Sequence, residues 1–398
     1  MILAMNLVII GLIMMLVVPN LMLAVECLAG LPSFRPQKVR DNDTAVGVEA
    51  KAIVLVPAHN EAAGLEQAML QLHSELGDRH EVLVVADNCS DRTAEIARRA
   101  GATVIERTCP ELRGKGYALR YGVEAIAARS SPPDVVVVLD ADCSINGLNG
   151  LVSLCNHRKS PIQCAYLMDP PAGCGIGQKL SAFAFRVKNL VRLRGLRRLG
   201  GPSLLTGSGM AFPWDVMRRI DWGGNEIVED YRAGLRLIEE GCSPAFSEIA
   251  CVRSLLPTKR LDSIKQSRRW EHGQLNQMFQ VAPRLIFGGI LHGQWRAFLA
   301  GLDVLVPPIS LLAVMTIAGL VLALLNLFFA DGLVPLILLS ISSGILAAAL
   351  ALTWTVEGRD SLPARYLFAI PVYILQKLSI YAAFFIKRES AWVRTTRS

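Results

Sequence analysis

Val135-Val-Val-Val-Leu-Asp140-Ala-Asp142 is an apolar run of branched residues that ends in two carboxylates one residue apart. Bounded upstream by Ser130-Ser-Pro-Pro133, it reads as a strand buried on both faces of a parallel sheet. Parallel sheets place their chemistry at the carboxyl ends of their strands. Two Asp at that end suit a hard divalent cation carrying a diphosphate, because Mg²⁺ takes one or two carboxylates plus phosphate oxygens. Alone, an Asp-x-Asp pair is equally a solvated strand end entering a turn, so its neighbours decide.

Outward from this strand, short apolar runs alternate with helical periods between Lys51 and Ala282. Ile53–Val56, Val82–Val85, Thr103–Ile105 and Val135–Leu139 read as strands; 61–76, 91–100, 116–129 and 146–157 read as helices. Repeated strand-helix units imply an α/β domain with a parallel sheet and right-handed crossovers. The loops after the strands carry the polar signals. Pro57-Ala-His-Asn-Glu61 follows the first strand and Asp87-Asn-Cys-Ser-Asp-Arg-Thr93 the second. Asp87 stands where a carboxylate accepts from a nucleobase edge, while Ser90 and Asp91 read as helix caps. Gly114-Lys115-Gly116 opens a helix, where a backbone nest and a Lys can hold phosphate or a plain loop can carry a solvated Lys.

Further on, Glu229 and Asp230 open a helical segment, a place where the helix dipole favours acidic residues in any case. Thr206-Gly-Ser-Gly209 reads as a flexible loop near that helix, at the acceptor. Gln266, Arg269 and Trp270 are spaced i, i+3, i+4 and share one helix face. An amide, a guanidinium fork and an aromatic plate together suit a diphosphate and the apolar face of a sugar ring.

These motifs, in this order, resemble glycosyltransferase family 2, and within it the membrane-embedded branch with a Gln-x-x-Arg-Trp motif, which includes cellulose, chitin and hyaluronan synthases and exopolysaccharide glycosyltransferases. The resemblance covers roughly residues 51–275. It implies a GT-A fold, Rossmann-like, that binds a nucleoside diphosphate sugar. Asp87 would hold the base, usually uracil, with Pro57, Asn60, Glu61 and Lys115 near the nucleotide. Asp140 and Asp142 would hold the sugar and the Mg²⁺ or Mn²⁺ on the diphosphate. Asp230 would be the catalytic base, Arg269 a diphosphate ligand, and Gln266, Trp270 and Glu229 neighbours of the acceptor. Where much of the family has Thr before Glu-Asp, this chain has Val228, a departure beside the base rather than on it.

The ends of the chain are apolar. Of the 398 residues, 52% are hydrophobic, and the excess sits in Ile2–Val25, Val304–Ala330, Leu333–Val356 and Tyr366–Ile386, each long enough to span the ~30 Å hydrocarbon core. Ile2–Val25 lacks the basic start of a signal peptide, and Val25-Glu26-Cys27 fits no cleavage site. Arg35, Lys38 and Arg40 follow it, which places the next domain in the cytoplasm. Pro283–Gly301 reads as interfacial, and the basic-apolar mixture Arg186–Arg198 as a helix lying on anionic lipid. Three spans after a cytoplasmic domain conflict with the basic tail Lys387, Arg388, Arg394 and Arg397: either the last segment, with Gln376 and Lys377, is re-entrant or interfacial, or the number of spans is not three.

A net charge of +7 suits anionic headgroups or a nucleotide diphosphate, and no basic patch with interleaved aromatics points to nucleic acid. Nine scattered Cys lack zinc spacing and read as reduced structural thiols. The organisation expected is a transmembrane helix (1–25), a linker (26–50), a catalytic domain (51–282), an interfacial segment (283–302), a C-terminal transmembrane region (303–386) and a basic tail (387–398). The function expected is an inverting, metal-dependent hexosyltransferase at the plasma (inner) membrane. Its acceptor is a polysaccharide or lipid-linked saccharide, or a single membrane lipid such as ceramide or polyprenyl phosphate. A transporter with a nucleotide-binding domain is the distant alternative, for which Lys377 alone speaks.

Overall fold

The computed structural model describes residues 2–32, 50–223, 228–258, 260–330 and 332–386. Arg35, Lys38 and Arg40 of the expected linker and the whole basic tail lie outside the described residues. The chain opens on α1 (Ile2–Gly30) and then alternates: β1 (Ala52–Ala58), α2 (Leu65–Glu75), β2 (His80–Asp87), α3 (Thr93–Arg99), β3 (Thr103–Arg107), α4 (Lys115–Ala127), β4 (Val135–Val138). There follow β5 (Ser144–Asn146), α5 (Leu148–Arg158), β6 (Ile162–Asp169), α6 (Ile176–Arg186), a π-helical turn (Val187–Arg192), α7 (Leu193–Arg198), β7 (Met210–Pro213), α8 (Trp214–Met217), α9 (Glu229–Glu239) and β8 (Ala245–Leu255). The remainder is helical: α10 (Arg260–Gln280), α11 (Ala282–Leu291), α12 (Trp295–Leu305), α13 (Ile309–Ala330), α14 (Leu333–Thr353) and, after a 3₁₀ segment, α15 (Ile370–Ile386).

Two compact units result. The described residues of 50–174 and 202–270 form a sheet unit, and those of 2–32, 175–201 and 271–386 a helical unit. The sheet has eight strands in the order β3-β2-β1-β4-β7-β6-β8-β5. Its first half is parallel, with Val54 of β1 opposite Val82 of β2 and Val137 of β4. The second half corrects the expectation of a purely parallel sheet: β7 runs antiparallel to both β4 and β6, and β5 antiparallel to β8. Strands β1, β2 and β4 are buried on both faces, which is why they read as unbroken apolar runs. Leu55, Val85, Leu119, Ile126, Val138 and Phe212 pack into one core, where Phe212 meets Trp222 edge-on at 5.8 Å.

The helical unit holds four helices long and apolar enough to cross a membrane: Asn6–Gly30, Ile309–Phe329, Leu333–Gly358 and Ala364–Phe384. Ile13 and Leu16 of α1 pack with Ala323 of α13 and Leu339 of α14, and Thr316 donates to Asn20 at 3.2 Å within this packing. The stretch read as interfacial is a hairpin of α11 and α12 turned at Gly293 (φ 64°), with Phe287, Ile290 and Leu291 exposed and Ala297, Ala300 and Val304 buried.

In the basic stretch Arg186–Arg198, expected to lie on a lipid surface, Arg192, Arg194 and Arg198 find partners inside the unit, while Arg197 is exposed. Arg192 is buried between Glu26, at 2.7 Å, and Asp303. Arg194 donates to the Gly30 carbonyl at 2.9 Å and to Glu357 at 2.7 Å, and Arg198 donates to the carbonyls of Ala29 and Leu31. The last carbonyls of α1 have no partner within the helix, and the guanidinium groups supply one where the dipole favours positive charge. The crossing is close: a Cβ on Gly195 would lie 2.0 Å from the Glu26 carbonyl oxygen, and one on Gly30 2.1 Å from that of Val191.

Candidate active site

Just past the end of β4, the Asp140 amide donates to Ser208 Oγ at 3.1 Å and its carboxylate accepts from Lys115 Nζ at 2.5 Å. Lys115 is the first residue of α4, and its ammonium also donates to the Gly207 carbonyl at 2.5 Å. The phosphate nest expected of Gly114-Lys115-Gly116 has a different local logic. Gly114 takes φ 136°, a conformation that favours glycine, and a Cβ on Gly116 would lie 2.4 Å from the Trp222 carbonyl oxygen, so Gly116 serves backbone approach. Lys115 itself ties the end of β4 to the 206–209 loop.

That loop is built rather than slack. Gln163, buried in β6, accepts from the Thr206 amide at 2.9 Å and donates to the Ser208 carbonyl at 2.8 Å, while the Gly209 amide donates to Val138 at 2.9 Å. Sequence reasoning missed Gln163, although a lone amide amid the apolar residues of β6 is a signal that something polar needs it. Gly207 adopts φ 95°, and a Cβ there would come within 2.9 Å of Asp230 Oδ2. Asp230 therefore sits against this loop, on the first turn of α9.

Electrostatics confirm the grouping. Burial disfavours the Lys115 ammonium, but Asp140, Glu229 and Asp230 outweigh it and hold its pKa above the ordinary value. Burial and then the adjacent Asp230 carboxylate push Glu229 up to about 7, against the pull of Lys115 and Arg269. Asp230 is raised by burial, with Lys115 opposing. Of the helix-face trio, all on α10, Gln266 is 2% exposed, and its Nε2 and the Nε of Arg269 are buried donors with no partner. Trp270 is half-buried. Unsatisfied buried donors beside carboxylates are what a diphosphate or sugar oxygen would fill.

Asp87 closes β2 with its Oδ1 held by Arg107 at 2.5 Å and Asn88 at 3.0 Å. Arg107 also lies over the Tyr117 ring and was not anticipated. Pro57 lies opposite Val85 within the sheet. Asn60, at φ 55°, accepts from the amides of Ser90 at 2.7 Å and Asp91 at 3.2 Å, and the Glu61 amide donates to Thr93 Oγ1 at 2.9 Å. The two loops are thus locked together. Asp91 accepts from the Thr93 amide at the start of α3, as a cap does, but Ser90 caps nothing, because Asn60 holds its amide and hydroxyl.

Asp140, Asp142 and Cys143 bring their ligand atoms within 4.8 Å of one another. Two carboxylates fit a hard cation, and the soft sulfur does not improve the fit, so Asp140 and Asp142 are the pair in this group that could hold Mg²⁺ or Mn²⁺.

Residues 50–273, more than half of the chain, match the family described as glycosyltransferase like family 2. The low-salt glycan biosynthesis hexosyltransferase Agl6 of Haloferax volcanii is 38% identical over 93 residues, 23% of this chain and 21% of that protein. The 4,4'-diaponeurosporenoate glycosyltransferase of Staphylococcus haemolyticus is 32% identical over 121 residues, 29% of this chain and 30% of that protein. The chain thus spans less than a third of the length of either curated relative. Among solved structures, the mannosyltransferase PcManGT from Pyrobaculum calidifontis, in complex with GDP-Man and Mn²⁺, superposes with a TM-score of 0.56 at 16% identity, covering 96% of this chain and all of that one. The GT-A fold implied by the motifs is the fold observed, and the chain belongs to glycosyltransferase family 2.

Proposed function

We propose that the protein is a membrane-bound inverting glycosyltransferase that moves a sugar from a nucleoside diphosphate sugar to an acceptor hydroxyl. The observation that carries this reading is the convergence at Lys115, whose ammonium joins the Asp140 carboxylate to the loop against which Asp230 lies. In this arrangement Asp230 takes the proton of the acceptor hydroxyl as its oxygen bonds to the anomeric carbon from the face opposite the leaving group. The bond from that carbon to the diphosphate oxygen breaks, and the proton remains on Asp230. General-base help of this kind contributes about 10² to 10⁴ in rate. Asp140 and Asp142 would hold a divalent metal, which would supply Lewis-acid neutralisation of the diphosphate's charge. Arg269 offers its guanidinium to the diphosphate, Gln266, Trp270 and Glu229 stand toward the acceptor, and Asp87, with the loops bearing Pro57, Asn60 and Glu61, receives the base. PcManGT, bound to GDP-Man and Mn²⁺, supports a nucleotide-sugar donor and a divalent ion.

The four candidate spans support multi-pass attachment to the plasma (inner) membrane, and the basic residues after the first favour a catalytic domain facing the cytoplasm. The acceptor is a polysaccharide or lipid-linked saccharide, with single-sugar transfer to a membrane lipid as a second reading, favoured by the small number of candidate spans. The test is to incubate membranes containing the protein with a panel of radiolabelled nucleotide sugars and to size the product. A ladder supports polymerisation, one lipid-soluble spot supports the second reading, and no transfer from any donor overturns both.

A further inference from the structure

Gly207 is a backbone point on which two groups of the sheet unit close. Lys115 Nζ donates to its carbonyl at 2.5 Å, and a Cβ on it would come within 2.9 Å of Asp230 Oδ2. The place of Gly207 is set by the peptide groups on either side of it, and both end on one side chain. The Thr206 amide donates to Gln163 Oε1 at 2.9 Å, and Gln163 Nε2 donates to the Ser208 carbonyl at 2.8 Å. Nε2 also donates to the Cys164 carbonyl at 2.9 Å, which fixes the amide against its own strand, β6. Beyond Gly207 the loop returns to the sheet, where Ser208 Oγ accepts from the Asp140 amide and the Gly209 amide donates to the Val138 carbonyl.

Gln163 is 0% exposed, between the buried apolar residues Ile162 and Cys164. Burying an amide is costly unless its groups are paired, and here both ends are. To keep β6 in the sheet an apolar residue of the same length would do, because the ladder is made by backbone groups. What the amide adds is a fixed span between residues 206 and 208, with Gly207 held at its middle. Methionine has the length and none of the bonds. Glutamate keeps the bond from Thr206 and gives up both donated ones.

We propose that Gln163 is a positioning residue for sugar transfer, acting through Gly207 on the Asp230 carboxylate. This rests on the reading of Asp230 as the base. A base displaced by about 1 Å costs on the order of 10²-fold in rate. Asp87 takes its hydrogen bonds from Arg107 and Asn88 and not from this loop, so nucleotide binding should hold. The test is a double-mutant cycle on the purified full chain. Gln163→Met should lower kcat for transfer about ten- to hundredfold, change KM for the donor and nucleotide binding by calorimetry less than about twofold, and speed hydrogen exchange in peptides covering 204–210. In the Asp230→Asn background the same change should lower transfer no further, because the group that Gln163 positions is already gone. Gln163→Glu should repeat the pattern, and it serves should Gln163→Met fail to bind nucleotide and so report misfolding. A loss of the same size in both backgrounds, or a loss of nucleotide binding in step with kcat in a folded variant, would show a merely structural amide and overturn the proposal. Normal transfer by Gln163→Met, where Asp230→Asn is impaired, sinks this inference alone. Normal transfer by Asp230→Asn sinks the reading of the base on which it rests.

Discussion

At the scale of single residues, the carboxylates divide by job. Under the proposed mechanism Asp142 would hold the metal on the diphosphate, so Asp142→Asn should weaken donor binding and transfer together, because substrate and transition state would use that contact alike. Asp230→Asn is nearly isosteric and should keep nucleotide binding while transfer falls by about 10² or more, measured on one preparation by calorimetry and by label transfer. Near-normal transfer in Asp230→Asn would move the base to Glu229. Glu229 makes its own prediction. Its folded pKa, about 7, lies above the ordinary 4.5, so the folded protein holds a proton that the unfolded chain gives up. That contribution is fully present below pH 4.5 and is lost as pH rises through about 7. Without metal or donor, the difference in thermal stability between wild type and Glu229→Gln should therefore shift against wild type over that window, and a pH-independent difference would argue that Glu229 is not held protonated. Asp87, Asp140, Asp142 and the Glu229-Asp230 pair were legible in the sequence because each motif holds its chemistry within a few neighbouring residues. Gln163 was not, since the loop it orders lies 43 residues away.

Elements were legible where burial is two-sided. Strands β1, β2 and β4 are unbroken apolar runs, and their order follows from parallel crossovers, whereas the direction of β5 and β7 rests on pairing between distant short strands that carry no local mark of it. The stretch Arg186–Arg198 hid its inward partners for the same reason. Its basic-apolar alternation is that of a lipid-facing helix, and nothing local says that its acidic partners wait 166, 111 and 163 residues away at Glu26, Asp303 and Glu357. The glycines at this crossing give a direct check. Gly195→Ala would set a methyl 2.0 Å from a backbone oxygen that cannot rotate aside, so the helices must separate. Overpacking of this kind costs about 1–3 kcal/mol, and the variant should unfold at lower temperature in detergent, while Gly173→Ala, with nothing within 4 Å, tests loop strain without a clash. A Gly195→Ala protein as stable as wild type would mean that the crossing is loose.

At the scale of the whole molecule, the sheet unit brings together groups from many separate strands, helices and loops, and such a site binds its ligands only when those parts are folded. Ligand binding must then report as stability. A ligand that binds only the folded state stabilises it by about 2.7 kcal/mol at a hundredfold excess over Kd. For a unit of this size, that raises the midpoint of thermal unfolding by on the order of 5 °C or more. Asp140 is paired with Lys115, so under the proposed mechanism the nucleotide alone would bring its diphosphate up to further carboxylates, Asp142 and Asp230. The divalent ion removes that repulsion, and the two ligands should bind together rather than singly. Purified protein with UDP or GDP should therefore show little shift in excess EDTA and a clear shift when Mn²⁺ is supplied, and Asp142→Asn should lose most of the metal-dependent part. The nucleotide that gives the larger shift identifies the base that Asp87 and Arg107 accept. An equal shift with and without EDTA would show that the diphosphate is held by Arg269 and Lys115 alone, and the metal role assigned to Asp140 and Asp142 would fall.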